Sequence, residues 1–271
     1  VGPADGLTVF DWFSGIGGFR RALEVLGVQP GAYFVSETDE PALRTLRHNY
    51  PDLHELGDIT KITEEELLRA ATQKPSADHV LSFGGSPCQD LSGANAMRQG
   101  LGGRRSSLWT TMEYLETEVL PRVYPDATRA RGMENVASMK RSDAATISSI
   151  RGQTPYKLCA SEFVPSRRPR LYWLSWQICA SPSLVITPGE DWLRVQWHGD
   201  RPSAYRYLPQ KARVAQGFVA FPTCMRPVAR SRPPVCPAGI ESCDEFALQR
   251  WHADDYRYPP YQYKVENMFT L

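Results

Sequence analysis

No stretch of this sequence stays apolar for the roughly 18 to 20 positions that a membrane-crossing helix needs. The opening residues, VGPADGLTVFDWF, lack the basic-then-apolar order of a secretory leader. There is no initiator methionine either, so the chain is expected to be an excerpt of a longer one. The six cysteines contain no C-x-x-C pair. That argues against zinc ribbons and disulfide scaffolds and for a reducing compartment. Internal repeats, low-complexity tracts and the G-x-G-x-x-G dinucleotide fingerprint are all absent.

With those classes removed, 271 residues at 42% hydrophobic and 23% charged describe a folded protein with one large domain, or one domain and a small appendage. The net charge of +1 conceals a segregation. Residues 1–100 carry 8 basic and 14 acidic side chains, residues 101–240 carry 20 and 10, and residues 241–271 carry 3 and 6. A basic middle beside an acidic first third suits a surface that meets a polyanion, although a mixed solvated surface gives the same counts.

The first half alternates two periods. Leu7–Phe10, Tyr33–Ser36, His79–Phe83 and Thr128–Met133 read as strands. Phe19–Leu26, Pro41–Asn49, Ile62–Thr72 and Ser107–Val119 read as helices, with Pro41 in a first turn and Thr63 as a cap ahead of Glu64, Glu65 and Glu66. Strand–helix alternation predicts an α/β protein with a doubly wound, Rossmann-like sheet over about residues 5–180. Tyr156–Ala160 and Arg170–Trp176 read as adjacent strands that could form a hairpin. From about Ser181 to Leu271 the chain is rich in proline, arginine and aromatics, which predicts a small irregular lobe.

Four constellations carry chemistry. DWFSGIGGF (Asp11 to Phe19) lies between the first strand and the first helix, where glycines permit a tight turn and let a ligand approach backbone N–H groups. A glycine turn with no ligand is the competing explanation. Glu37 ends the second strand, where a carboxylate can accept hydrogen bonds from ribose hydroxyls. Asp58, in GDI, is expected near the end of a third strand, within reach of an adenine amino group. GGSPCQDLS (Gly84 to Ser92) follows the fourth strand and places Cys88 after Pro87 in a glycine-rich loop, a setting for a nucleophile rather than a core thiol. Glu134 ends the fifth strand and is expected beside that loop. Arg168 and Arg170 alternate, so an extended backbone would put them on one face.

These blocks, in this order, resemble the catalytic domain of cytosine-C5 DNA methyltransferases. The resemblance covers residues 7–176. It implies a fold of the S-adenosylmethionine-dependent methyltransferase type and a cofactor site of Phe13, Ser14, Gly15, Ile16, Gly17, Glu37, Thr38, Asp58, Ile59 and Pro87. It implies catalysis by Cys88, Glu134, Arg168 and Arg170, with Pro87 beside the thiol. The GGSPC and RLYW wording leans towards the eukaryotic de novo (DNMT3-like) branch, from which Gln89 departs. Ser166 stands where many members have glutamine. No segment like the family's last two motifs is present, so residues 181–271 are expected to be a partial target-recognition region.

The chemistry implied starts from a poor nucleophile, C5 of cytosine. Addition of the Cys88 thiolate to C6 makes C5 enamine-like. A free thiol of pKa about 8.5 is only a few per cent ionised at neutral pH, so it must be activated. Glu134 is expected to contact N3 and the exocyclic amine, and the arginines to hold the O2 side of the base and the carboxylate. The products are 5-methylcytosine and S-adenosylhomocysteine, with no metal. The implied partner is DNA, with room for homo- or hetero-oligomers of related methyltransferases and with no membrane. The base must leave the stack, and Arg201, Arg206, Lys211, Arg213, Arg226, Arg230 and Arg232 are candidate phosphate contacts. The expected location is the nucleus of a eukaryote, or otherwise the cytoplasm. A tRNA cytosine-C5 methyltransferase, an inactive accessory relative and, more distantly, a Rossmann oxidoreductase are the competing assignments.

Overall fold

The structure, a computed structural model, describes residues 4–73, 77–93, 97–164, 166–200, 221–222 and 243–253. The chain divides into two compact units that interleave in sequence. The first comprises Val1–Lys157, Arg170–Cys179 and Ile186–Arg194; the second comprises Leu158–Pro169, Ala180–Val185 and Val195–Leu271. In chain order the elements are β1 (Ala4–Trp12), α1 (Gly18–Val25), β2 (Pro30–Ser36), α2 (Glu40–Asn49), β3 (His54–Glu55), α3 (Glu64–Gln73), β4 (His79–Gly85) and α4 (Leu108–Tyr114). A π turn (Leu115–Val119) and α5 (Leu120–Val123) follow, then β5 (Thr128–Val136), α6 (Arg141–Arg151), β6 (Tyr156–Cys159), β7 (Ser166–Arg167), β8 (Pro169–Leu174), β9 (Leu184–Pro188), β10 (Leu193–Trp197), β11 (Phe221–Pro222) and α7 (Glu245–Ala253).

One nine-stranded sheet runs in the order β3-β2-β1-β4-β5-β8-β6-β10-β9. The pairs β1–β2, β1–β4, β2–β3 and β4–β5 are parallel, and β5–β8 is antiparallel. The fold is therefore α/β with a mixed, Rossmann-like sheet. The chain moves outward from β1 to β2 and β3 on one side, then to β4 and β5 on the other. This creates a switch point beside β1, the place where such sheets open a crevice beyond their strand ends.

Period-2 alternation along β1 feeds two cores. Phe10 and Trp12 point to one face, where Phe10 stacks on Trp12 and Phe34 at 5.3 and 5.0 Å, above Leu67, Met112, Leu115 and Leu120. Val9 points to the other face and meets Leu23, Tyr33 and Val35. Local signals agree with these placements. Asp39 accepts a hydrogen bond from the Ala42 N–H to cap α2. Thr63 and Glu66 form a reciprocal capping box at α3: the Glu66 N–H donates to the Thr63 hydroxyl at 3.2 Å and the Thr63 N–H to the Glu66 carboxylate at 3.0 Å.

Two strand expectations change. The third strand does not reach GDI: it is the two-residue β3, after which Gly57 takes a positive φ of 73° and Asp58 caps a single 3₁₀ turn. Tyr156–Ala160 and Arg170–Trp176 do supply neighbouring strands, but β8 lies between β5 and β6 and pairs with β5, so the two are not a simple hairpin.

In the second unit, β7 and β11 pair in parallel, Ser166 with Phe221 and Arg167 with Pro222. The Phe163 and Trp197 rings lie 5.5 Å apart, and the Trp197 N–H donates to Glu162 at 3.1 Å. In α7, Ala247 and Trp251 are buried. Trp192, in the first unit, packs on the sheet core, with the Lys157 ammonium 4.4 Å from its ring. The arginines and the lysine proposed as phosphate contacts lie outside the described residues.

Asp11 is a charge-bearing residue at the heart of the first unit. It is 3% exposed, and the Tyr33 hydroxyl donates to it at 2.8 Å. Burial lifts its pKa from 3.8 to about 7; the Tyr33 hydrogen bond opposes this and nearby Glu37 adds to it. Below pH 4 Asp11 is protonated both folded and unfolded. Between pH 4 and 7 the unfolded chain loses the proton first, so this group's contribution declines as pH rises. The full penalty, at most about 4 kcal/mol, is present above pH 7. Asp11→Asn should therefore gain stability relative to wild type as pH rises from 4 to 8 in urea denaturation. A difference that does not change with pH would mean that Asp11 ionises normally.

Candidate active site

At the carboxyl ends of β1, β2 and β4 lies a cleft of about 670 Å³, within the size range of small-ligand sites. Its walls include Phe13, Ser36, Glu37, Thr38, Asp58, Ile59, Thr60, Gly85, Pro87 and Gln89, all in the first unit. Sheet register explains the convergence. Trp12 is level with Ser36 on β2 and with Gly84 on β4, so the next residue of each strand emerges at one rim. Phe13 leaves that rim with φ 58°, the single positive value at a non-glycine among the described residues. Such a conformation costs of order 1 to 3 kcal/mol and needs support from its surroundings.

The support is a set of hydrogen bonds. The Ser14 N–H donates to the Ser36 carbonyl at 3.2 Å, and the Gly15 N–H to Glu37 Oε2 at 2.8 Å. Glu37 Oε1 accepts from the Thr38 and Asp39 N–H groups at 2.7 and 2.9 Å. A carboxylate offers about four lone-pair sites, so Oε2 keeps capacity for a further donor. The Ser14 hydroxyl is buried and has no hydrogen-bond partner among the described residues. Asp58 accepts from the N–H and hydroxyl of Thr60, and these bonds hold its pKa below the usual carboxylate range.

Beside the cleft, the loop after β4 turns at Cys88, whose carbonyl accepts from the Leu91 and Ser92 N–H groups at 3.0 and 2.8 Å. Cys88 is half-buried between the cleft-lining Pro87 and Gln89. Glu134 is paired across the sheet with Gly85, three residues before the thiol. A Cβ on Gly85 would come within 2.9 Å of Glu134 Oε2, so the glycine makes room for that carboxylate. On the other side β8 brings Arg170, whose Nε lies 2.5 Å from Glu134 Oε1. Asn135 locks the two segments together: its amide donates to the Ser86 hydroxyl at 2.9 Å and carbonyl at 3.2 Å.

The expected residues divide as follows. Phe13, Glu37, Thr38, Asp58, Ile59 and Pro87 line the cleft. Ser14 and Gly15 form its loop, as the bonds above show. Ile16 and Gly17 turn away and line a separate hollow with Gly18, Arg21, Glu24 and Tyr50. Gly17 adopts φ 88° at the start of α1, and the chain direction changes there. Arg170 joins Glu134, whereas Arg168 is exposed, sits in a break between β7 and β8, and belongs to the second unit. The expectation of one shared arginine face does not hold: Arg168 lies between the strands and is exposed, whereas Arg170 lies in β8 and is buried against Glu134.

Arg104, Arg105 and Leu108 also stand in the cleft wall, beyond the residues expected from the sequence. Asp90 holds them there. Its carboxylate accepts from the Arg105 and Ser106 N–H groups at 3.1 and 3.3 Å, and its carbonyl accepts from the Gly100 N–H at 2.9 Å. The visible signal was the pair of glycines before two arginines in GLGGRRSSLW.

Residues 7–150 match a family model for C-5 cytosine-specific DNA methylases. The orphan methyltransferase M.Rho11sI of Bacillus phage rho11s is 32% identical over 180 residues, 61% of this chain and 32% of that protein. The type II methyltransferase M.HhaI of Haemophilus parahaemolyticus is 26% identical over 182 residues, 64% of this chain and 50% of that one. The chain thus spans about a fifth to a half of the length of the curated relatives it matches. Among solved structures, the S. pombe Dnmt2 methyltransferase aligns with a TM-score of 0.41 at 18% identity, over 65% of this chain and 51% of that chain.

Proposed function

The chain belongs to the C-5 cytosine-specific DNA methylases, and from that premise we propose that its cleft transfers a methyl group from S-adenosylmethionine to C5 of a cytosine flipped out of DNA. The observation that carries the proposal is the Glu134–Arg170 pair, set beside Gly85 and the Cys88 loop at the edge of a cleft lined by Glu37 and Asp58. The residues fit the cofactor. Glu37 Oε2 and Asp58 are acceptors for ribose hydroxyls and an adenine amino group, and the buried Ser14 hydroxyl still needs a partner. Bound there, S-adenosylmethionine supplies an electrophilic methyl group on a sulfonium.

The protein's own groups do the rest. The Cys88 thiolate forms a bond to C6 of the base, and the ring electrons shift towards N3 and C5. Glu134 faces N3 and the exocyclic amine, and in its protonated form it donates to N3 and offsets the negative charge that develops there as sulfur adds. Arg170 fixes the orientation of that carboxylate through a pair only 11% and 22% exposed at the two side chains. After methylation a proton leaves C5 and the S–C6 bond breaks, which frees Cys88. DNA as the substrate is supported by the family and by relatives such as the rice DNA (cytosine-5)-methyltransferase DRM1A, 33% identical over 111 residues.

DNA containing 5-fluorocytosine tests the proposal, because fluorine cannot leave C5 as a cation and the adduct should survive denaturation. The wild-type protein is expected to give the trapped species and Cys88→Ser to give none. Glu134→Gln should slow trapping about 10²-fold or more without a matching loss of DNA affinity, since its contact strengthens in the transition state. Trapping that persists in Cys88→Ser would refute the nucleophile, and preferential trapping of RNA would move the substrate.

A further inference from the structure

A buried polar relay runs from the end of β1 into a cluster of acidic and basic side chains that the methyl-transfer scheme does not use. The Trp12 indole N–H donates to the Ser82 hydroxyl at 2.6 Å, and that hydroxyl donates to Glu116 Oε1 at 2.6 Å. Glu116 Oε2 lies 3.0 Å from Arg151 Nη1, which also pairs with Glu113, and Glu113 pairs in turn with Arg131. The side chains of Arg151 and Glu116 are 0% and 1% exposed. All six residues lie in the first unit.

Three features argue that this relay does more than fill the core. Ser82 has one proton and gives it to Glu116, so it can only accept from Trp12, and the direction of the whole chain is fixed. Glu116 sits in the π turn between α4 and α5, an irregularity that recurs at functional positions, and with Glu113 three residues earlier it pairs with Arg151. Buried ion pairs are often worth no more to stability than apolar replacements, and a positioning role is consistent with that.

The relay ends at the residue that needs holding. Trp12 is the last residue of β1 and leads directly into Phe13, with its left-handed backbone and its side chain in the cleft wall. Trp12 is gripped from a second side as well: a Cβ on Gly84 would meet Trp12 Cβ at 3.0 Å and its carbonyl at 3.1 Å. We infer that Ser82 and Glu116 are positioning residues: they anchor the Trp12 indole and so keep the Phe13–Gly17 loop in its ligand-binding shape before cofactor arrives. The inference rests on the assignment of the cleft to S-adenosylmethionine only for the identity of the ligand.

Two measurements on the full chain separate the two ideas. One is S-adenosylmethionine affinity by calorimetry in wild type, Ser82→Ala, Trp12→Phe and the double variant. The other is amide hydrogen exchange at Ser14, Gly15 and Gly17, each of which donates a loop hydrogen bond. Each single variant should raise Kd about fivefold to tenfold, the scale of one lost buried hydrogen bond. The double variant should be no worse than either single one, because both cut the same relay. Exchange should quicken in the loop and not across β4. Lower thermal stability with unchanged Kd and unchanged loop exchange would overturn the inference, as would effects that add in the double variant. Faster loop exchange in Ser82→Ala, in a protein whose wild type fails to bind S-adenosylmethionine, would uphold the relay and refute the cofactor.

Discussion

Parallel pairing of β1 with β2 on one side and β4 on the other puts Trp12 in one row with Ser36 and Gly84. Everything at the site is reckoned from that row. One residue beyond it, β1 gives Phe13, β2 gives Glu37, and β4 gives Gly85, itself level with Glu134 on β5. Because side chains alternate at period 2, a slip of one residue in β1 would send Trp12 to the α1 face and Asp11 into the larger core. Two large aromatic stacks on Phe10 make that exchange costly. The hydrophobic pattern of one strand thus sets where a carboxylate, a glycine and a thiol-bearing loop meet.

The site is held at some expense to the fold. Asp11 is buried at a cost in stability near neutral pH, and Phe13 takes a backbone conformation that a non-glycine residue disfavours. Such departures concentrate where ligands bind, since a site shaped beforehand does not spend binding energy on ordering itself. The hydrogen bonds of Glu37 with Gly15, Thr38 and Asp39 serve the same end, because one carboxylate both closes the loop and faces the cleft.

Much of this was legible in the sequence, for a physical reason. The loop after β1 and the Pro87–Cys88 loop after β4 each fall at a strand end and combine glycine or proline with a polar residue, and such punctuation survives without knowledge of tertiary contacts. Thr63 and Glu66 announce their helix in the same local way. What was not legible depended on distant partners. The position of β8 between β5 and β6 is decided by pairing with Glu134 and its neighbours, not by any turn. Arg104 and Arg105 reach the cleft only because Asp90 folds their loop back. Ile16 reads as part of the glycine loop, yet the left-handed Gly17 beside it aims the chain elsewhere. Pro169 follows the break at Arg168, which leaves that residue outside β8, where Arg170 lies, and alternation alone could not reveal it.

The most direct test of the central claim is a crystal structure of the protein bound to S-adenosylhomocysteine. The account predicts the ribose hydroxyls within hydrogen-bond distance of Glu37, the adenine amino group at Asp58, and the sulfur turned towards Pro87 and the Cys88 loop. Ligand seated instead in the hollow of Ile16 and Arg21, or lying in the cleft with its sulfur directed away from Pro87, would contradict it.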